Sequence, residues 1–330
     1  MTESTVARLV RLQKEALLQQ EASEMRLLTR RWLEVEKALE AEMLKTALAL
    51  EQEGIVTEAM ILRDRRFQNL LYRARAEYAQ YADDFEARAI NMQEYALSKG
   101  ISDATKTLNL SLDEAGLALD FEMLNVEAIN TFVGMSADGT PLRNLLMKDY
   151  GASVNGMVEA LQKGLVLGLN PKKIAEEMAN GFGIGLQKAL LISRTEMLRA
   201  YRMATQEQYR SSEVVTQYKR LAVKDDKTCL GCLMQDGETF ENAEDFSEHP
   251  NGRCVLVPVV RGGFAPQWTS GKDWLAGLSP ERQRGIMGQE RYELWQSGAI
   301  TLDDLSTLRE NATWGGSFVP TPLKDLTGSG

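Results

Sequence analysis

Residues 229–254 read CLGCLMQDGETFENAEDFSEHPNGRC and contain all three cysteines and the only histidine of the 330-residue chain. Cys229, Cys232, His249 and Cys254 follow the spacing C-x2-C-x16-H-x4-C. Three thiolates and one imidazole fill the tetrahedral shell that Zn²⁺ takes in structural sites. Because no position is left open for a substrate or a reactive water, the pattern predicts a structural zinc site with no catalytic residue and no cofactor-binding residue.

Two other interpretations of these residues stay open: a knuckle without metal, and a redox pair of Cys229 and Cys232. A redox C-x-x-C motif normally begins a helix within a βαβ unit. Here a strand-like segment, 214–223, precedes the motif and a loop-like segment follows it. The odd number of cysteines argues against a disulfide framework. A zinc deaminase is excluded because its motifs occur in the opposite order and Glu248 precedes His249.

The cysteine window connects two segments of strand character, 214–223 and 254–260. The connection is rich in Asp, Glu, Gly and Asn and has few apolar side chains. Ordering a chain costs about 1–2 kcal/mol per residue in backbone entropy. A structural zinc site contributes about 10–16 kcal/mol in small peptides. We therefore expect a bound metal to order this connection.

The N-terminal part of the chain has strong helix propensity, because it is rich in Ala, Leu, Glu, Gln and Arg and its first proline is Pro141. The composition predicts a first helix that Ser4 or Thr5 caps and that runs to Glu53, a second over 56–99 that ends at Gly100, and a third over 111–132. Long helices with short links form an antiparallel hairpin or bundle. The first helix carries one apolar stripe, which comprises Leu28, Trp32, Val35, Leu39 and Met43. The aromatic side chains of these helices are either core or a surface for a partner helix or a ring-shaped assembly; those of the second helix include Tyr78, Tyr81, Phe85 and Tyr95.

A turn cluster at 135–141 marks a domain boundary. Shorter helices are expected after it, over 142–150, 157–167, 172–179, 186–209, 279–287, 289–296 and 301–308. An extended arm with Trp314 and Phe318, which either docks on a partner or folds back on the protein, completes the chain. The predicted fold class is α+β and mostly helical, with a Cys/His knuckle between two strands. The predicted domains are a helical domain (1–135), an α+β domain with the zinc knuckle (136–262) and short helices with the arm (263–330).

Two polar motifs outside the cysteine window invite functional interpretations. The glycine-rich segment 181–185 follows a helix and lacks the spacing of a phosphate-binding loop, so it is predicted to be a flexible turn. The polar side chains of Arg194, Thr195 and Glu196 are adjacent on a predicted helix but include no evident general base. We expect Arg194 or Glu196 to anchor the neighbouring strands through a salt bridge.

The composition limits the classes of partner. The net charge is −9 and the pI is about 5.0, which gives no broad attraction to nucleic acid. No apolar run reaches the about 18–20 residues that cross a bilayer, and the N-terminal residues lack the apolar core of a signal peptide. We expect a soluble protein made in the cytoplasm.

Four motifs of this chain occur in the order found in one protein family. They are Ser193-Arg-Thr-Glu196, Asp226-Lys-Thr-Cys229-Leu-Gly-Cys232, Asp236-Gly237 and His249-Pro-Asn-Gly-Arg-Cys254. Over about residues 145–260 the chain resembles the phage head morphogenesis family, the Mu F-like minor head proteins. Relatives commonly have HP-x-C-R-C, whereas Gly252 stands here in place of the first cysteine. The resemblance therefore implies that His249 is a metal ligand in this chain, or that the site is free of metal.

The resemblance also implies a location and partners. Family members are minor capsid proteins, present in several copies and bound to the portal protein oligomer at the special vertex inside the head. They act in head assembly and in DNA packaging or ejection. The major capsid protein and packaged DNA are further candidate partners, and assembly takes place in the bacterial cytoplasm. The alternative function is that of an enzyme, with a degenerate ADP-ribosyltransferase-like domain acting in assembly or after injection.

Overall fold

The computed structural model describes residues 3–55, 57–117, 124, 131–243, 246–262 and 264–327. Its helices, in chain order, are α1 (Thr5–Gln52), α2 (Glu58–Arg63), α3 (Arg65–Ala115), α4 (Leu142–Met147), α5 (Tyr150–Val166), α6 (Pro171–Phe182), α7 (Ile184–Arg210), α8 (Leu230–Met234), α9 (Gly271–Ala276), α10 (Pro280–Met287), α11 (Gln289–Gln296) and α12 (Leu323–Thr327). Its strands are β1 (Val215–Leu221), β2 (Thr239–Phe240), β3 (Val255–Val260), β4 (Ser306–Arg309) and β5 (Ser317–Pro320). The predicted α+β, mostly helical class is confirmed.

The chain forms two compact units. The first comprises residues 1–19, 93–132 and 197–330, and the second comprises 20–92 and 133–196. The long helices α1, α3 and α7 each contribute residues to both units. The three domains expected from the sequence stay a prediction.

The predicted first helix is confirmed, since α1 runs from Thr5 to Gln52 and the Ser4 hydroxyl accepts a hydrogen bond from the Ala7 backbone N–H. The prediction that Gly100 ends the second helix was wrong, because α3 continues through it to Ala115. A Cβ at Gly100 would lie 2.7 Å from both the Ala204 Cβ and the Tyr201 carbonyl oxygen. The lack of a side chain at Gly100 therefore allows α3 to pack closely against α7. Most of the predicted third helix lies outside the described residues.

The second unit has an aromatic core. The apolar stripe of α1 belongs to this core, because all five of its side chains are fully buried. The Trp32 ring stacks on Phe182 of α6 at 5.4 Å between centroids and meets Tyr81 edge-on at 4.9 Å. Edge-on and offset contacts of this kind add to the stabilisation from burial.

The glycine-rich segment contains the turn between two helices, since Gly181 belongs to α6, Gly183 is a turn residue and Gly185 belongs to α7. A Cβ at Gly181 would clash with the Gly156 backbone of α5. Gly156 and Gly181 let the backbones of α5 and α6 approach closely. This packing accounts for these two glycines without a phosphate ligand.

The first unit contains an antiparallel sheet in the order β2-β1-β3. Tyr218 of β1 pairs with Phe240 on one side and with Pro258 on the other. Every residue of β3 is buried, so this edge strand of the sheet lies in the interior of the unit. The cysteine window, residues 229–254, lies in the connection from β1 to β3, where the sequence predicted a knuckle between two strands.

The end of the chain differs from its prediction. The expected helix over 301–308 is instead a short 3-10 turn at Asp303–Leu305 followed by β4, which pairs with β5 through Leu308 and Phe318. Asp304 accepts hydrogen bonds from the Thr301 backbone N–H and hydroxyl. Trp314 and Phe318 are half-buried, and Phe318 lies in this hairpin.

Candidate metal centre

The C-x-x-C motif lies at the start of α8. Cys229 is the residue before the helix, and its sulfur accepts a hydrogen bond from the Cys232 backbone N–H at 3.2 Å. The loop-like segment that was predicted after the motif, Gln235-Asp236-Gly237, is a turn, and the short helix α8 precedes it. The strands on either side pair antiparallel, whereas the βαβ unit of a typical redox C-x-x-C motif has parallel strands.

Three of the four predicted ligands converge on one point. The His249 Nε2 atom lies 3.1 Å from the Cys229 sulfur and 3.2 Å from the Cys232 sulfur. The His249 Nδ1 atom lies 2.8 Å from the Pro250 carbonyl oxygen. Because a carbonyl only accepts hydrogen bonds, Nδ1 carries a hydrogen and holds Nε2 towards the sulfurs. A metal-binding histidine is commonly oriented by such a contact.

The fourth predicted ligand, Cys254, belongs to a second group of donor atoms. Its sulfur lies with the Cys232 sulfur and a Glu248 carboxylate oxygen, all within 4.8 Å of one another. Cys232 is shared by both groups, so the structure brings all four predicted residues into one region. Among the described residues, however, the four do not form one mutual four-donor group. Sequence reasoning did not select Glu248, because an acid is usually exposed and nothing in its spacing shows that it is buried.

Buried cations surround the donors. The Arg220 side chain is 1% exposed and donates to the Glu248 Oε2 atom at 3.2 Å. Arg202 donates to the Gly252 carbonyl oxygen at 3.1 Å, and Lys14 is buried near the same region. Arg202 and Arg220 outnumber the Glu248 carboxylate. The excess of positive charge stabilises thiolates over neutral thiols.

The pKa values follow from these contacts. A hydrogen bond from Cys232, with further help from His249, lowers the pKa of Cys229 to about 5. Burial lowers the pKa of His249, but the hydrogen bond to Cys229 and the charge of Glu248 outweigh it and raise the pKa to about 9. Burial also raises the pKa of Glu248, but Arg220 and Arg202 outweigh it, so the net shift is downward. Without a metal, Cys229 and His249 thus form a thiolate–imidazolium pair.

The donor set fits a soft or borderline divalent metal. Thiolate sulfur and imidazole nitrogen are the ligands that Zn²⁺ prefers in structural sites, and the thiolate is the form that binds. Cys232 and Cys254 are buried, and Cys229 is half-buried. The group of Cys229, Cys232 and His249 could therefore hold a metal ion.

The polar trio on α7 has other roles. The Arg194 Nε atom donates to Glu21 of α1 at 2.7 Å, so this side chain pairs with a helix, and the expectation that Glu196 anchors the strands stays a prediction. The Thr195 hydroxyl donates to the Leu191 carbonyl oxygen one turn earlier. Both side chains are engaged in helix contacts, which favours a structural role.

Comparison with known proteins gives one match. Residues 155–257 match the family described as Phage Mu protein F like protein. This part of the chain is therefore similar to the Mu F-like family. The match confirms the resemblance seen in the sequence and supports a role connected with the phage head. Searches of curated proteins and of solved structures found no match.

Proposed function

We propose that this chain is a minor head protein that binds the portal protein oligomer inside the phage head. Its role there is structural, in head assembly and in DNA packaging or ejection. The observation that carries the proposal is the Mu F-like domain at residues 155–257. Several copies per virion, in contact with the portal and with the head interior, agree with the family resemblance.

The described structure is compatible with this role. None of its helices combines the length and the apolar character that crossing a bilayer requires. The helices α1 and α3 have 48 and 51 residues, which at about 1.5 Å per residue gives each a length of about 70–80 Å. Helices of this length supply extended surfaces of the kind that contact several subunits of a ring.

We also propose that the metal centre is a structural element of the Mu F-like domain. Cys229, Cys232 and His249 would hold a zinc ion, with Cys254 as the fourth residue predicted from the sequence. The ion would supply a cross-link between α8 and the segment that leads into β3. The support is the convergence of the three donors and the buried cations that favour thiolates.

Co-expression with the portal protein of the same phage tests the proposed function. We expect the two proteins to co-purify and to give a single native mass that corresponds to a portal ring with a fixed number of copies of this chain. A portal protein from an unrelated phage is the matched control and should not be retained. Failure to associate with its own portal at both low and high salt would contradict portal binding.

A further inference from the structure

Glu248 occupies the space next to Gly252. A Cβ atom at residue 252 would clash with the Cγ, Cδ and Oε1 atoms of Glu248. The Glu248 side chain is 2% exposed, so it is held in this space and away from solvent. The absence of a side chain at residue 252 is therefore what admits a carboxylate to the metal centre.

The Glu248 carboxylate lies at the distance of a ligand from two of the other donors. Its Oε1 atom is 3.3 Å from the Cys232 sulfur and 3.5 Å from the His249 Nε2 atom, and those two atoms are 3.2 Å apart. Donors of a tetrahedral zinc ion lie about 3.3–3.6 Å from one another, given the usual zinc–ligand distances. The three atoms thus form a triangle of the size of one face of such a site.

The two oxygens of the Glu248 carboxylate have different partners. The Oε2 atom accepts a hydrogen bond from Arg220 at 3.2 Å, whereas the Oε1 atom accepts one from the Cys232 thiol at 3.3 Å. A metal ion held by the Cys232 sulfur would therefore lie beside the Oε1 atom.

We propose that Glu248 is a metal ligand and takes the fourth place beside Cys229, Cys232 and His249. Glu248 is preferred to Cys254 because its Oε1 atom contacts both Cys232 and His249, whereas the Cys254 sulfur groups with Cys232 and Glu248. The inference rests on the metal centre proposed above. It predicts two thiolates, one imidazole and one carboxylate on the ion.

Cobalt(II) titration of the full chain tests this assignment, because the absorption of tetrahedral Co²⁺ reports both the geometry and the number of thiolates. We compare the wild-type chain with Glu248→Gln and Cys254→Ser, after far-UV circular dichroism confirms that each is folded. We expect Glu248→Gln to shift the d–d bands and to weaken binding about 10–100-fold, as loss of a group at a metal site commonly does. Cys254→Ser should retain the wild-type spectrum and its sulfur-to-metal charge-transfer intensity.

Other results would overturn the assignment in distinguishable ways. A normal spectrum for Glu248→Gln together with lost charge-transfer intensity for Cys254→Ser would make Cys254 the ligand. Weaker binding by Glu248→Gln with an unchanged spectrum would make Glu248 a positioning residue only. A wild-type chain that binds no tetrahedral Co²⁺ would refute the metal centre itself.

A double variant covers the case in which Glu248→Gln does not fold. Glu248→Ala combined with Gly252→Cys empties the occupied space and places a thiol there. We expect this variant to bind tetrahedral Co²⁺ with more charge-transfer intensity than the wild type, because it has one more thiolate. A spectrum of wild-type intensity, or no binding by a folded double variant, would show that the two positions do not share one ligand place.

Discussion

At the scale of single residues, buried charge is the feature that the sequence conceals. The cysteines and the histidine could be selected from sequence because they are rare and are spaced as zinc ligands are. Glu248 and Lys14 could not, because acids and lysines are usually exposed and nothing in their spacing shows burial. Their positions depend on how α1, β1 and β3 pack, which is a property of the folded chain.

Lys14 provides a prediction about pH. Its amino group is buried and has no hydrogen-bond partner among the described residues. Burial, and next the charge of Arg202, lower its pKa to about 7. Between pH 7 and 10.5 the unfolded chain therefore binds a proton that the folded chain lacks. The resulting destabilisation is complete below pH 7 and fades as the pH rises towards 10.5.

Replacing Lys14 by Met should therefore raise the free energy of unfolding by at least about 1 kcal/mol at pH 6.5, because an unpaired buried charge is costly. The gain should shrink as the pH approaches 10. Urea unfolding followed at several pH values measures it. Lys45→Met, at an exposed position of the same helix, is the control and should change little. A Lys14→Met gain that is absent, or that is independent of pH, would contradict the account.

At the scale of elements, propensity located the long helices but not the positions where tertiary contacts override it. The helix from Thr5 was predictable from composition and capping. Gly100 was mistaken for a helix end, because its purpose is contact with α7. Residues 301–308 have a good helical pattern, yet pairing with β5 makes their second half a strand. This pairing depends on the partner strand Ser317–Pro320 and cannot be read from residues 301–308 alone.

The contact of α5 with α6 gives a second prediction. Gly181→Ala should lower the free energy of unfolding by about 1–3 kcal/mol, because the added methyl group would force the helices apart. Gly151→Ala is the matched control: it lies in α5, is exposed, and would meet no atom within 4 Å. That change should be neutral or slightly stabilising, since alanine favours a helix. Denaturant unfolding compares the two variants, and equal effects would refute the packing argument.

The cysteine window gives a third prediction. If a metal cross-links it, Cys229→Ser should speed amide hydrogen exchange over residues 225–260 while the far-UV circular dichroism of the long helices is retained. A chelator added to the wild-type chain should have the same local effect. The exchange should become faster because the connection between β1 and β3 has few apolar side chains and depends on the ion for its order. A loss of helical signal across the whole chain would contradict a local role.

At the scale of the whole molecule, the sequence motifs identified the family domain, and the match over residues 155–257 bears this out. The motifs concentrate in the first unit, where the sheet and the metal centre lie. In the second unit, the motif Ser193-Arg-Thr-Glu196 lies on α7, whereas its residues 20–92 carry no motif, because a helical core can be built from many apolar sequences.

The most direct test of the central claim is the content of phage heads assembled with and without the portal protein. Quantitative mass spectrometry of purified heads gives the number of copies of this chain relative to the major capsid protein. The account predicts a few copies in heads that have a portal and loss of the chain from heads assembled without one. Equal incorporation in both kinds of head would contradict a portal-bound role.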